Sequence, residues 1–224
     1  MSLIAKKSRL SVACLLVAGG CVVGPATTAH AAPAVTDPVT SVRADKGDKN
    51  DKPGRDKRAE RMLGIEYEAQ PNFYYCGPAA TRIALSAQGK ALPQDEVAKM
   101  LGTTEAGTDS ALDTTRVLNE LTGGTYRTTE IPGPVAKPEE VDRLRKDVLD
   151  SVDEGRPVVA NIKGTAVDTD GAPHSYEGGH YLTLVGYRDG GDLIRIADPA
   201  APQGEYWMTL EKVANWIAER GYSS

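Results

Sequence analysis

Four residues in this chain have the types and spacing that acyl transfer needs. Cys76 stands in Gln70-Pro-Asn-Phe-Tyr-Tyr-Cys76-Gly-Pro-Ala-Ala, His180 in Gly178-Gly179-His180-Tyr-Leu-Thr-Leu-Val, and Asp198 in Ile196-Ala197-Asp198-Pro199. A thiolate can attack a carbonyl carbon, an imidazole can take and return its proton, and a carboxylate can orient that imidazole. An amide such as that of Gln70, six residues before the cysteine, can donate to the oxyanion of the tetrahedral intermediate, beside the backbone N–H of Cys76. Each residue also has an ordinary reading. These are a buried structural thiol, a half-buried sheet histidine, an Asp-Pro turn and a solvated loop glutamine. It is the set that points to catalysis.

The elements around them fit that set. Pro78 near the first position, good helix formers and Gly89 beyond the end predict a helix over 78–86. Cys76 then lies at or just before a helix N-terminus, where free N–H groups and the helix dipole favour a thiolate. An apolar run predicts a strand over 181–187, and Leu193 to Ala197 predicts another. Arg188-Asp-Gly-Gly-Asp192 between them is a hairpin signal. If Tyr187 pairs with Leu193, Asp198 falls opposite Leu182, on the same face as His180 and about 7 Å away diagonally. A loop one residue longer or shorter would turn Asp198 to the other face. His174, the other histidine in this part of the chain, falls in a loop with no such anchoring.

Further helices are predicted over 94–101, 109–121 and 139–154, the last with Val141, Leu144, Val148 and Val152 on one stripe and Gly155 as its stop. Arg156 to Ile162 reads as a buried strand and Ile65 to Ala69 as a weak one. Thr209 can cap a last helix carrying Leu210, Val213, Trp216 and Ile217. Helices mostly precede strands, so the expected class is α+β rather than a βαβ repeat. With nine Tyr and one Phe, the core must rest on Val, Leu, Ile and Ala.

The N-terminus sets an expectation of export. Lys6, Lys7 and Arg9 precede an apolar run from Leu10 to Gly24, and Ala29-His30-Ala31 has the small-x-small form of a signal-peptidase site. The run falls short of the roughly 18 to 20 residues of a membrane span. Residues 1–31 are therefore expected to be a signal peptide and the protein to be secreted. Residues 32–61, charged and poor in apolar side chains, are expected to be a disordered linker or pro-segment. Residues 62–224 are expected to form one domain. Removing Cys14 and Cys21 with the signal leaves Cys76 without a disulfide partner. A formal charge of −5 and a pI near 5.3 argue against general nucleic-acid binding. No Cys/His cluster has zinc spacing. Asp168-Thr-Asp170-Gly171 lacks the further ligands of a calcium loop and reads as a turn. No metal and no cofactor are expected.

Gln70-x5-Cys76-Gly-Pro-Ala, Gly-His180-Tyr-Leu-Thr-Leu-Val-Gly-Tyr and Ile-Ala-Asp198-Pro together resemble the papain-like C39 and C39-like peptidases, over about 65–222. The resemblance implies a papain-like fold, with the nucleophile on a helix and His and Asp on an antiparallel sheet. It implies Cys76 as nucleophile, His180 as base, Asp198 as its orienter and Gln70 in the oxyanion hole, acting on a peptide or protein substrate. The best-known members are fused to transporters and cut leader peptides after paired glycines; this chain is expected to depart from them, with an export signal of its own and no membrane domain. An amidase or acyltransferase (a transglutaminase, for example) could use the same four residues, and a non-catalytic binding module could keep the fold.

Overall fold

The computed structural model describes residues 60–224. The signal peptide expected over 1–31 and the linker expected over 32–61 lie outside the described residues, apart from Glu60 and Arg61. Those two belong to the domain, in a short strand β1 (Glu60–Met62) that pairs with Arg188 and Tyr187.

Three helices come next: α1 (Cys76–Ser86), α2 (Gln94–Leu101) and α3 (Ala111–Thr122). Gly102 and Gly123 close α2 and α3 in the left-handed conformation, which glycine adopts without steric cost. After β2 (Thr128–Ile131), helix α4 (Pro138–Asp153) opens with Pro138 in its first turn and Glu140 accepting the Lys137 N–H at 2.7 Å. It buries Leu144, Val148 and Val152, the stripe expected from their spacing. The chain then runs through β3 (Val158–Val167), β4 (Pro173–Arg188), β5 (Leu193–Ala197), β6 (Glu205–Thr209), α5 (Leu210–Ile217) and β7 (Arg220–Ser223).

The seven strands form one antiparallel sheet in the order β2-β7-β3-β4-β5-β6, with β1 beside β4. Both faces are covered. Val158, Ala160 and Ile162 of β3 and Leu182 and Leu184 of β4 pack with α4 and α5. Val159 and Tyr181, of the opposite parity, pack with α1, α2 and α3. Burial on both faces explains why these strands read as continuous apolar runs rather than as alternating ones.

Three expectations change. The Ile65–Ala69 stretch is not a strand. Its backbone crosses α1, where Glu66 N–H donates to Ser86 Oγ at 2.9 Å and Arg82 donates to the Glu66 carbonyl at 2.9 Å, so side chains satisfy groups that a ladder would otherwise use. β3 and β4 extend well past 156–162 and 181–187, joined by a turn in which Asp168 Oδ1 accepts the N–H groups of Asp170 and Ala172, each at 2.9 Å. His174 thus lies in β4 and is buried, not in a loop.

The β4–β5 hairpin is also one residue tighter than expected. Arg188, not Tyr187, pairs with Leu193. That alone would turn Asp198 away from His180. A β-bulge at Val185 inserts one residue, so Leu184 pairs with Ile196 and Thr183 with Ala197, which is the expected register. The tight turn and the bulge cancel, and Asp198 arrives on the face that was expected.

Candidate active site

Cys76 is the first residue of α1, and no side chain caps that helix. In its first turn Pro78 has no N–H and the Ala79 N–H donates to the Tyr75 carbonyl, which leaves the Gly77 N–H to act on the sulfur. Gly77 is required there for space. A Cβ on it would stand 2.3 Å from Thr108 Oγ1, so the loop before α3 packs directly on the residue after the cysteine. Cys76 is the free cysteine of the described residues.

The structure brings Cys76, His180 and Asp198 together. His180 Nε2 lies 2.7 Å from Asp198 Oδ1, and the ring and the Cys76 thiol are close enough to shift each other's charge states. With Nε2 committed to the carboxylate, Nδ1 is the nitrogen left for sulfur. Exposure is 8% for Cys76, 4% for His180 and 0% for Asp198, so these contacts operate where water screens little.

The charge states follow. Burial alone would raise the Cys76 thiol. The hydrogen bond to His180, the charge of that ring and the N–H groups of Tyr181 and Gly77 outweigh burial and hold it below its ordinary 9.0. Burial alone would lower His180, but Asp198 and Cys76 together push it up to about 9. Burial would raise Asp198 too, yet His180, the Ala200 N–H and Tyr206 hold it below its ordinary 3.8. A thiolate facing an imidazolium, backed by a carboxylate, is the state these shifts favour.

Three tyrosines complete the carboxylate's surroundings, and sequence reasoning missed all three. Tyr176 and Tyr206 hydroxyls donate to Asp198 Oδ2 at 2.9 and 2.8 Å, and Tyr67 donates to the Asp198 carbonyl at 3.1 Å. The Tyr176 ring stacks on His180, with centroids 3.9 Å apart and planes 18° apart. Burial and the charge of Asp198 both push Tyr176 and Tyr206 upward, so both remain protonated donors. The available signal was compositional: nine Tyr against one Phe means buried rings whose hydroxyls need partners.

Gln70 sits in the loop between β1 and α1. Its backbone N–H donates to the Pro199 carbonyl at 3.0 Å, which ties this loop to the turn after Asp198. Its side-chain Nε2 donates to the Asn72 carbonyl at 2.7 Å, while Oε1 is buried with no partner. Among the described residues, no group of three or more His, Cys, Asp or Glu side chains is placed to hold a metal ion, and no helix is long and apolar enough to cross a membrane.

The sequence model of the Peptidase_C39 like family matches residues 62–224. A protein from Bacillus anthracis described as a C39-like peptidase is similar in structure, with a TM-score of 0.52 at 13% identity over 73% of this chain and 96% of that one. Weaker likenesses are to the peptidase domain of Streptococcus ComA (0.47, 15%, 72% and 95%) and to xylellain, a cysteine protease from Xylella fastidiosa (0.43, 14%, 73% and 84%). Among curated proteins none matches the sequence. At 13% identity the first likeness establishes fold: the α+β, papain-like arrangement expected from sequence is the one present.

Proposed function

We propose, from the premise that this chain belongs to the C39-like peptidase family, that it is an active cysteine peptidase whose catalytic residues are Cys76, His180, Asp198 and Gln70. The observation that carries the reading is the buried pair itself: Asp198 Oδ1 at 2.7 Å from His180 Nε2, beside the buried Cys76 thiol at the start of α1.

In the proposed reaction the Cys76 thiolate attacks the scissile carbonyl carbon, forming an S–C bond while the carbonyl π electrons move to oxygen. The N–H of Cys76 stabilises that oxyanion, together with Gln70. A primary amide has two N–H donors, and only one of Gln70's is taken by Asn72. Collapse of the intermediate breaks the C–N bond, and the His180 imidazolium gives its proton to the leaving amine. Water then attacks the thioester with His180 taking its proton, and breaking of the S–C bond releases the acid and restores the Cys76 thiolate beside the protonated ring. Asp198 holds the imidazole in plane and favours its charged form throughout.

The substrate class in this reading is a peptide or protein, and the work is done outside the cytoplasm, as the first 31 residues suggest. The test is a peptide-library digest with the purified protein and with Cys76→Ala. Cleavage by the parent alone, with free carboxylic acid as product, supports the reading. A new amide or ester in place of the acid would make it an acyltransferase. Equal activity of both proteins would refute it.

A further inference from the structure

Beyond the bulge between β3 and β4, the outer half of the hairpin that these strands form brings Tyr176 to Asp198 and His174 to Tyr206. Its strands are tied down along their length. Trp216 Nε1 donates to the Gly164 carbonyl at 3.0 Å, Lys212 Nζ to the Val167 carbonyl at 2.8 Å, and the Thr169 N–H to the Trp207 carbonyl at 2.9 Å. This outer half contains a second buried His–Asp pair that the proposed reaction does not use. His174 Nε2 lies 3.0 Å from Asp168 Oδ2, and both residues are buried.

We infer that the outer half of this hairpin is a positioning strap for the active site: its His174 and Tyr176 rings stack on Tyr206 and His180 and so fix the Asp198 carboxylate in line with the imidazole, with Asp168 locking the strap through His174. The inference rests on the catalytic reading above and assigns His174, Asp168 and Tyr206 a role in it as positioning residues.

Two parallel ring pairs carry the argument. His174 stacks on Tyr206 with centroids 3.8 Å apart and planes at 17°; Tyr176 stacks on His180 at 3.9 Å and 18°. Each pair combines a ring from the strap with a ring from the main sheet. The two tyrosines, one from each side, both donate to the same oxygen, Asp198 Oδ2, leaving Oδ1 for His180 and the Ala200 N–H. A carboxylate with both oxygens held in this way has no freedom to rotate away from the imidazole.

The bulge makes the arrangement possible. Ile162 pairs with His180 and Gly164 with Tyr176, so residues 177–179 stand opposite Lys163 alone. In a regular strand, rings four residues apart would be about 13 Å apart. The extra residues and Gly179, at φ +96, fold the strand back until those rings touch. Asp168 is itself held by three hydrogen bonds. Oδ1 takes the N–H groups of Asp170 and Ala172, Oδ2 takes His174, and these outweigh burial and hold the carboxyl below its ordinary range. The groups facing His174 are Asp168, the Tyr206 ring and Trp216.

The test compares the full chain with His174→Gln, Tyr206→Phe, their double variant and Asp168→Asn. Gln at 174 keeps a donor for Asp168 and removes the stacked ring; Phe at 206 keeps the ring and removes the donor to Asp198. Rates of Cys76 alkylation by iodoacetamide across pH, peptide hydrolysis across pH, and Tm are measured. The expected result is that His174→Gln slows alkylation at pH 6 and lowers kcat/KM, each by about threefold or more, with KM little changed. Its alkaline limb moves down by about half a pH unit. Tyr206→Phe does the same, and the double variant is no worse than Tyr206→Phe alone, because both act through one hydrogen bond. Asp168→Asn shifts the profiles in the same direction and serves as the readout if the Gln variant does not fold. A lowered Tm with wild-type pH profiles, or effects of the two substitutions that multiply, would overturn the inference while leaving the catalytic reading intact. Ordinary-thiol alkylation by the wild-type protein would instead remove the catalytic reading and this inference with it.

Discussion

The sharpest perturbation is Asp198→Asn, because it changes one charge at nearly constant shape. In the wild type the His180 imidazole is lifted from its ordinary 6.5 to about 9 against the opposing effect of its burial. At 1.36 kcal/mol per pH unit, the lift corresponds to about 3 kcal/mol of preference for the imidazolium. The amide carbonyl of the variant can still accept from Nε2 and from the Ala200 N–H, so orientation survives in part. What goes is the negative charge, and with it a main part of what opposes burial. The remaining burial then favours a neutral ring. A group titrating near 9 is almost wholly protonated at pH 7.5, whereas one at or below 6.5 is about a tenth protonated or less. Cys76 still supplies its share of the lift, so the ion pair loses up to about tenfold in population from charge alone. The two tyrosine hydroxyls, which would now meet an amide N–H₂, must also reorient, and kcat/KM is expected to fall by about 100- to 10,000-fold in total.

Two measurements read this directly. Ultraviolet absorbance of the thiolate or iodoacetamide rates across pH report the ion pair without a substrate, and peptide hydrolysis reports its consequence. The stability arm has a definite sign. Asp198 titrates below 3.8 in the folded protein. Its contribution to stability is therefore present above that value and lost as pH falls through the folded pKa. The Tm gap between wild type and Asp198→Asn should be widest near neutrality and should close in strong acid. A variant that keeps an alkaline limb near pH 9, with an unchanged thiolate profile, would refute the reasoning.

On the proposed reading Gln70→Ala removes an oxyanion donor along with its bond to the Asn72 carbonyl: kcat should fall by about 10²- to 10³-fold with little change in KM, while the alkylation profile of Cys76 stays as in the wild type. Gly77→Ala forces a methyl within 2.3 Å of Thr108 Oγ1 and 2.8 Å of its Cβ; about 1–3 kcal/mol of stability should be lost in thermal melts, and Thr108→Gly in the same chain should restore most of it. Gly179→Ala places a side chain at φ +96 beside the Ile162 carbonyl. It should cost about 1–2 kcal/mol and lower kcat/KM through His180, and a wild-type pH–rate curve in that variant would count against the role of the β3–β4 bulge.

Much of the site is legible in the sequence because its chemistry is written in residue types. A cysteine before Gly-Pro at a helix start, a histidine after paired glycines and an Asp-Pro after a strand each carry a local signal, and their elements formed as their patterns suggested. The short strands β2, β6 and β7 carried no such signal. Thr128–Ile131 and Arg220–Ser223 are four residues each and mix polar with apolar side chains, so only the neighbours β7 and β3 make them strands. Tyr67, Tyr176 and Tyr206 were illegible for another reason: each lies far from Asp198 in sequence or across a strand break, and nothing local distinguishes a tyrosine that donates to a buried carboxylate from one at the surface.

The hairpin shows how a correct placement can rest on an incomplete account. Parity counted from Tyr187–Leu193 put Asp198 beside His180, yet that pairing does not form. The chain turns within Asp189–Asp192, with Asp189 itself at φ 54, which shortens the loop by one residue and would reverse the parity. The bulge at Val185 then restores it. Val185 leaves the ladder to pack with Ile83 of α1 and Ile65, so the residue that repairs the register is held by the helix that carries Cys76. Positioning of Asp198 and of Cys76 is therefore coupled through packing: a contact between α1 and the sheet holds the residue that sets the face on which Asp198 emerges. A polar substitution at Val185 should accordingly disturb the His180–Asp198 bond before it unfolds the domain, visible as loss of the Cys76 thiolate in a protein that still melts cooperatively.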